Sequence, residues 1–120
     1  MAAHNDFGEW GELVARDFLK QNGYFVICLD WKNKHRDLDI VAIDNTTQEI
    51  VFVEVKTRRN TLFGEPEDSV NHQKKINLKK AASAYLHINK TTRNYRFDII
   101  TVVGVCDEDV QIKHIKNAIY

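Results

Sequence analysis

The sequence has few residues that break or cross-link a chain, since only one proline and two cysteines occur among 120 residues. Cys28 and Cys106 are isolated from each other, which is typical of buried thiols and unlike a zinc-finger or redox spacing. No apolar run approaches the ~20 residues of a membrane span, and the polar N-terminus lacks an export signal. We therefore expect one domain, residues 1–120, that is cytoplasmic and has no membrane contact.

The chain as a whole also lacks an excess of either charge, because 17 basic and 17 acidic residues balance. Along the sequence, however, the charges are separated. Residues 1–55 carry 5 basic and 10 acidic residues, residues 56–96 carry 10 and 3, and residues 97–120 carry 2 and 4. The basic middle segment favours a phosphate-bearing partner such as DNA, although a lysine run usually forms only a solvated helix face.

Two runs rich in β-branched residues flank the turn-forming residues 45–48, and this pattern predicts a β-hairpin. With that turn, Asp39 faces Glu54 across the two strands, with Cβ atoms about 4.5–5.5 Å apart. Lys56 lies two residues beyond Glu54 and therefore shares its face. A register shift of one residue would move the whole set to the other face.

Two carboxylates at this distance repel each other, so some feature must offset the repulsion. A bound cation, a shared proton or Lys56 itself could do so. Hard cations such as Mg²⁺ prefer carboxylate oxygens, and an ammonium group beside them suits an attacking water or a developing negative charge. The alternative is an ordinary ion pair at a strand end.

The remaining periodicities predict an α/β protein with the element order αβββαββ. Both hairpin strands are apolar on both faces, so we expect a central mixed sheet flanked by helices, with Leu38 and Ile40 on one face and Val41 on the other. The predicted helices are residues 5–22 and 71–89, and the predicted strands outside the hairpin are residues 24–31, 95–103 and 110–115.

Charged side chains on the helices and after the hairpin are the other candidates for function. Glu12 falls at the margin of the apolar arc of the first helix, where it either reaches inward or pairs with Arg16 one turn later. The lysines of the second helix are predicted to lie opposite its apolar side, and two arginines directly follow the hairpin. We therefore predict nucleic-acid contacts at Arg58, Arg59, Lys74, Lys75 and Lys79.

The combination of Asp39 with Glu54-Val-Lys56 on the next strand, and a glutamate on a preceding helix, resembles the PD-(D/E)xK nuclease superfamily. The core of that superfamily has the restriction-endonuclease-like fold. More closely, the chain resembles the small bacterial YraN-like family, whose members are regarded as endonucleases. The matching segments follow the family's order and are residues 8–15, 37–42, 51–58, 63–66 and 96–100.

The resemblance implies that Asp39 and Glu54 bind Mg²⁺ or Mn²⁺ and that Lys56 orients or activates the attacking water. It also implies Glu12 as a further catalytic residue and metal ligand, as in archaeal Holliday-junction resolvases. In one position the chain departs from the family, because Arg36-Asp37 stands where Gly-Glu is usual. The departure bears on the geometry of the loop before the catalytic aspartate.

Together these features favour a metal-dependent endonuclease acting on DNA, with branched or single-stranded DNA as candidate substrates. One alternative is a non-catalytic nucleic-acid-binding module of the same fold, and another is a structural protein whose hairpin carboxylates only form ion pairs. The intact set of Asp39, Glu54 and Lys56 favours the nuclease over the binding module, and the basic segment favours both over the third. Two apolar sheet faces with few helices are compatible with a homodimer.

Overall fold

The computed structural model describes residues 3–106 and 108–119, with side chains from Asp6 onward. Within these ranges the predicted order αβββαββ is confirmed, with one additional short 3-10 helix before the second α-helix. The elements are α1 (Ala3–Gln21), β1 (Tyr24–Asn33), β2 (Arg36–Asp44), β3 (Ile50–Arg58), the 3-10 helix (Pro66–Ser69), α2 (His72–Ile88), β4 (Tyr95–Val103) and β5 (Gln111–Ile119).

The five strands form one mixed sheet in the order β1-β2-β3-β4-β5. Strands β1, β2 and β3 pair antiparallel, β3 and β4 pair parallel, and β5 returns antiparallel to β4. The parallel pair requires a crossover, which α2 supplies. This α/β architecture confirms the predicted fold class and is compatible with a restriction-endonuclease-like core.

The sheet is covered by one helix on each face, as expected for strands that are apolar on both sides. Ala15 and Leu19 of α1 are fully buried against Ile40, Val51 and Val53. The residues that alternate with these along β2 and β3 point to the opposite face of the sheet. The core therefore has two halves, and one helix packs on each.

The second half of the core lies under α2. Leu78 and Tyr85 pack there against Val41 and Phe52, and Leu38 belongs to the same cluster. The prediction that Leu38 shares a face with Ile40 is therefore wrong. The alternation of β2 is interrupted between these two residues, at Asp39, which is the position of the candidate site.

Neither of the two α-helices in the described part of the chain is long and apolar enough to cross a lipid bilayer.

Candidate active site

Strands β2 and β3 follow the predicted register from Ile43–Ile50 to Ile40–Val53, where the ladder stops. Asp39 and Glu54 were predicted to face each other as the next pair, and the ladder ends before that pair. Instead the Oδ2 atom of Asp39 accepts a hydrogen bond of 2.9 Å from the backbone N–H of Val55. A side chain thus replaces a backbone partner, and the two strands separate beyond this point.

A cleft of about 330 Å³ lies at the separated end of β2 and β3, against the beginning of α1. The four residues predicted to be catalytic, from three different elements, all line this cleft. Its lining residues are Phe7, Gly8, Glu12, Asp39, Glu54, Val55, Lys56, Thr57 and Arg58.

Glu54 is the most deeply buried carboxylate of the cleft, with 4 % of its surface exposed. Two lysines approach it: the Nζ atom of Lys56 lies 3.9 Å from Oε1, and that of Lys74 lies 3.4 Å from Oε2. The Oε2 atom is nevertheless buried without a hydrogen-bond partner. An unsatisfied buried carboxylate oxygen is costly, and it marks a position where another ligand would be stabilised.

Burial raises the pKa of Glu54 to about 8, and the negative charge of Asp39 acts in the same direction. Lys74 and Lys56 lower this pKa and offset part of the shift. The carboxyl group therefore resists ionisation near neutral pH unless additional positive charge is brought to it.

Lys74 was predicted to lie on the outer side of α2, but it points at the site. It lies one helical turn before Leu78, which is buried against the sheet, so both side chains face inward. The sequence pattern missed this role because a lysine at the first turn of a helix extends beyond the apolar contact and reaches a neighbouring strand.

Glu12 is half-buried and reaches the cleft from α1. Of its two predicted orientations, the inward one is therefore confirmed. The alternative partner, Arg16, instead pairs with Asp17 at 2.9 Å. Burial raises the pKa of Glu12 to about 7, with further contributions from the negative charges of Asp39 and Asp30.

Asp30 is an acidic neighbour that the sequence analysis missed. In the pairing of β1 with β2 it falls at the level of Asp39, between the pairs Leu29–Ile40 and Trp31–Leu38. Its φ angle is +50°, which interrupts the strand at this level. The sequence feature that could have revealed Asp30 is its position as a single carboxylate inside an otherwise apolar strand.

The close approach of α1 to β3 depends on a glycine. A Cβ atom added at Gly11 would lie 2.0 Å from Oγ1 of Thr57, so no side chain fits at this position. Glu12 follows Gly11 directly, and this contact therefore sets how near the Glu12 carboxylate lies to the cleft.

The donor set can be compared with the needs of a divalent cation. Within residues 3–106 and 108–119, no three carboxylate, imidazole or thiol groups are already gathered as a metal cage. Mg²⁺ often uses only one or two protein carboxylates together with water and substrate phosphate. Asp39 and Glu54 fit that kind of site, since a buried oxygen of Glu54 lacks a hydrogen bond, and Glu12 is a third acidic group in the same cleft.

Of the basic residues predicted to contact nucleic acid, two arginines lie close to the carboxylates. Arg58 lines the cleft, and its Nη2 atom lies 3.4 Å from Oγ of Ser69. The guanidinium group of Arg59 lies 4.9 Å from the ring centroid of Phe7, which also lines the cleft.

The other two predicted contacts lie elsewhere. Lys75 lines a shallow cleft together with Glu67 and Ile115, and Lys79 lines another beside Tyr95. The structure thus places Arg58, Arg59 and Lys74 at the carboxylate cleft and separates Lys75 and Lys79 from it.

A second polar cluster, which the sequence analysis missed, holds the opposite end of the hairpin. Arg96 donates hydrogen bonds of 2.9 Å to Asp44 and 2.9 Å to Glu49, and pairs with buried Asp98 at 3.1 Å. Asp98 also contacts His114 on β5 at 2.7 Å. These bonds connect strands β2, β4 and β5 and fix the turn end of the hairpin that carries the candidate site. An arginine and an aspartate two residues apart in an apolar strand were the signal.

Arg36-Asp37 stands where the YraN-like family usually has Gly-Glu, and the structure needs no glycine at this position. The turn between β1 and β2 falls on Lys34 and His35, and its positive φ angle, 58°, is at Lys34. Arg36 is already the first residue of β2.

Sequence comparison adds relatives from several bacterial groups. A protein from Bacteroides thetaiotaomicron is 43 % identical over 120 residues, covering 100 % of this chain and 97 % of its own length. One from Clostridium botulinum is 36 % identical over 119 residues, covering 96 % and 94 %, and one from Syntrophomonas wolfei is 40 % identical over 119 residues, covering 96 % and 98 %. All three are named UPF0102 proteins. Residues 11–102 match the sequence profile of the uncharacterised protein family UPF0102, and the chain therefore belongs to that family.

Proposed function

We propose that this protein is a metal-dependent endonuclease of the PD-(D/E)xK type that hydrolyses phosphodiester bonds in DNA. One observation carries the proposal: Asp39, Glu54 and Lys56 meet in one cleft in which a buried carboxylate oxygen of Glu54 lacks a hydrogen-bond partner. The ammonium groups of Lys56 and Lys74 lie 3.9 and 3.4 Å from the carboxylate and leave that oxygen without a hydrogen bond, which an ordinary strand-end ion pair, the main alternative, would supply.

Asp39 and Glu54 are the residues that would hold Mg²⁺ or Mn²⁺, with Glu12 as the third acidic group of the cleft. The bound cation would supply positive charge to the scissile phosphate and lower the pKa of a bound water. It would also remove the repulsion that raises the pKa of Glu54.

Lys56 is the residue placed to act on the reacting atoms. Its ammonium group lies at the cleft, 3.9 Å from Oε1 of Glu54, and the side chain is only 18 % exposed. A positive charge held in a partly desolvated position stabilises the negative charge that develops on the phosphate and orients the attacking water.

Lys74 has a different role in this proposal. Its ammonium group lies 3.4 Å from Oε2 of Glu54, the oxygen that lacks a hydrogen bond. Because its side chain is 34 % exposed and flexible, it can turn from Glu54 to a substrate phosphate when a cation binds.

A cleavage assay tests the proposal. Purified protein is incubated with linear, single-stranded, flap and four-way-junction DNA, each with Mg²⁺, with Mn²⁺ and with EDTA. We expect cleavage of at least one substrate that EDTA abolishes and that Glu54→Gln lacks. Binding of DNA without cleavage in either metal would contradict the nuclease and support the non-catalytic binding module.

A further inference from the structure

The most exposed apolar side chains in the described part of the chain stand together on the loop after β3. Leu62 is 80 % exposed and Phe63 is fully exposed. Both lie in the turn formed by residues 61–64, which we call the 61–64 turn. Exposure of two large adjacent apolar groups costs free energy in water, so their position suggests contact with a partner.

The 61–64 turn is held by local hydrogen bonds. The N–H of Leu62 donates to Oδ1 of Asn60 at 3.0 Å, and the N–H of Gly64 donates to the carbonyl of Thr61 at 3.1 Å. The φ angle of Gly64 is +107°, which a side chain would disfavour. The turn thus presents Phe63 at its tip in a defined conformation.

The base of the loop is also fixed, and it is attached to the candidate active site. Pro66 is buried, and the guanidinium group of Arg58 reaches Ser69 across the loop. Arg58 is the last residue of the strand that carries Lys56, and Arg59 follows it toward the 61–64 turn. The order along the chain is therefore a catalytic lysine, two arginines and an exposed aromatic tip.

We propose that Phe63, with Leu62, stacks on an unpaired base of the DNA, and that the substrate class of this site is DNA that carries unpaired bases. The inference rests on the proposed function, because it assigns the partner of the same site. Exposed aromatic groups beside basic residues are the usual means of holding unpaired bases, since every base has a face on which to stack.

Charge around the turn favours a base over a phosphate as the contact. Three acidic residues follow Phe63 before α2, and two of them, Glu65 and Glu67, are paired with Lys113 of β5. One lysine balances only one of the three charges, so this segment keeps a net negative charge that repels the phosphates of a duplex laid along it. The phosphate contacts are therefore assigned to Arg58 and Arg59, and the uncharged tip is assigned to the base.

The test compares Phe63→Ala with Phe25→Ala as the matched control. Phe25 is 61 % exposed on edge strand β1 and pairs with Ile43, toward the hairpin turn rather than the cleft. Both changes are made in the Glu54→Gln background, so that hydrolysis does not obscure binding. Binding is measured by fluorescence anisotropy on a fully paired duplex, a single strand and a flap of the same sequence. A 2-aminopurine at the unpaired position beside the flap junction reports stacking.

We expect Phe63→Ala to weaken flap and single-strand binding about fivefold to a hundredfold, to leave duplex binding unchanged and to abolish the 2-aminopurine response. Phe25→Ala should bind like its background. Equal binding by both variants would overturn the inference, and so would an equal loss on all three DNAs. A change in sedimentation of Phe63→Ala without a change in DNA binding would also overturn it, because the tip would then contact a second copy of the chain.

Failure of this inference is distinguishable from failure of the proposed function. If the protein cleaves DNA but Phe63→Ala has no effect, only the stacking role is wrong. If Phe63 is required for flap binding but no metal supports cleavage, the stacking role stands and the nuclease is wrong.

Discussion

At the scale of single residues, the candidate site is defined by Glu54, a buried carboxylate. The two lysines beside it offset only part of the rise in its pKa that burial causes. Glu54 is held in place by the strand on which it lies, and Asp39 is held by its bond to the backbone of Val55. Neither can turn away from the other without loss of packing or of that hydrogen bond. Burial and the charge of Asp39 therefore oppose ionisation of Glu54 in the metal-free protein, and a bound cation would offset both.

Metal binding should consequently raise the melting temperature. A ligand at 100 times its dissociation constant stabilises a protein by about 2.7 kcal/mol. We expect a rise with millimolar Mn²⁺ or Mg²⁺ in differential scanning fluorimetry that Asp39→Asn abolishes. Asp37→Asn, two residues earlier on the same strand and exposed, is the control and should respond like the wild type. An unchanged melting temperature of the folded wild-type protein would contradict the site.

The same experiment has a pH dependence whose sign follows from Glu54. The folded protein raises the pKa of Glu54 from its ordinary value of 4.5 to about 8, so it favours the neutral carboxyl group. In EDTA, this contribution to stability is complete below pH 4.5 and is lost as the pH rises toward 8. The melting-temperature advantage of Glu54→Gln over the wild type should therefore grow over this interval. A constant difference between the two proteins would show that Glu54 ionises normally.

Much of the site at this scale could be predicted from the sequence, because spacing along two adjacent strands largely determines which side chains share a face. Asp39, Glu54 and Lys56 line one cleft, although the regular pairing ends one pair before Asp39 and Glu54 would face each other. Lys74 and Asp30 could not be found in this way, since their positions depend on how α2 and β1 pack in three dimensions. The network around Arg96 was hidden for the same reason.

At the scale of elements, α1 and the hairpin meet through Gly11, and this contact brings Glu12 to the cleft. The order of the elements along the chain and the hairpin register followed from periodicity and from one turn. The sequence did not predict that Leu38 and Ile40 lie on opposite faces of the sheet. This reversal depends on an irregularity at Asp30 and Asp39 that does not change the spacing of the apolar residues. The candidate site begins where the regular pairing of β2 with β3 ends.

Gly11→Ala should test this contact. The added methyl group would overlap Oγ1 of Thr57, and overpacking of this kind costs about 1–3 kcal/mol. We expect a lower melting temperature and weaker metal stabilisation, because α1 must shift away from β3. Gly8→Ala is the matched control, since nothing lies within 4 Å of a Cβ at that position. It should be neutral or stabilising, as alanine favours a helix over glycine. Equal effects of the two changes would show that the contact with Thr57 is unimportant.

At the scale of the whole molecule, the distribution of charge matters more than its sum. The balance of 17 basic and 17 acidic residues argues against strong long-range attraction to DNA. Arg58, Arg59 and Lys74 nevertheless lie beside the carboxylate cleft. The exposed tip of the 61–64 turn lies on the loop that follows the two arginines. Separation of Lys75 and Lys79 from this group could not be read from the sequence, because neighbouring lysines on a helix point in different directions.

If this cleft hydrolyses DNA, Lys56→Ala should lose most of the activity. The measurement is the single-turnover cleavage rate on the best substrate with Mg²⁺ or Mn²⁺, together with DNA affinity. Lys75→Ala, which changes a lysine of another cleft, is the control. We predict that Lys56→Ala lowers the rate about a hundredfold to a thousandfold with DNA affinity nearly unchanged, because its charge acts on the reacting phosphate. Cleavage by Lys56→Ala at the wild-type rate would show that this cleft is not the active site, since the activity would then belong to other residues or to a contaminant.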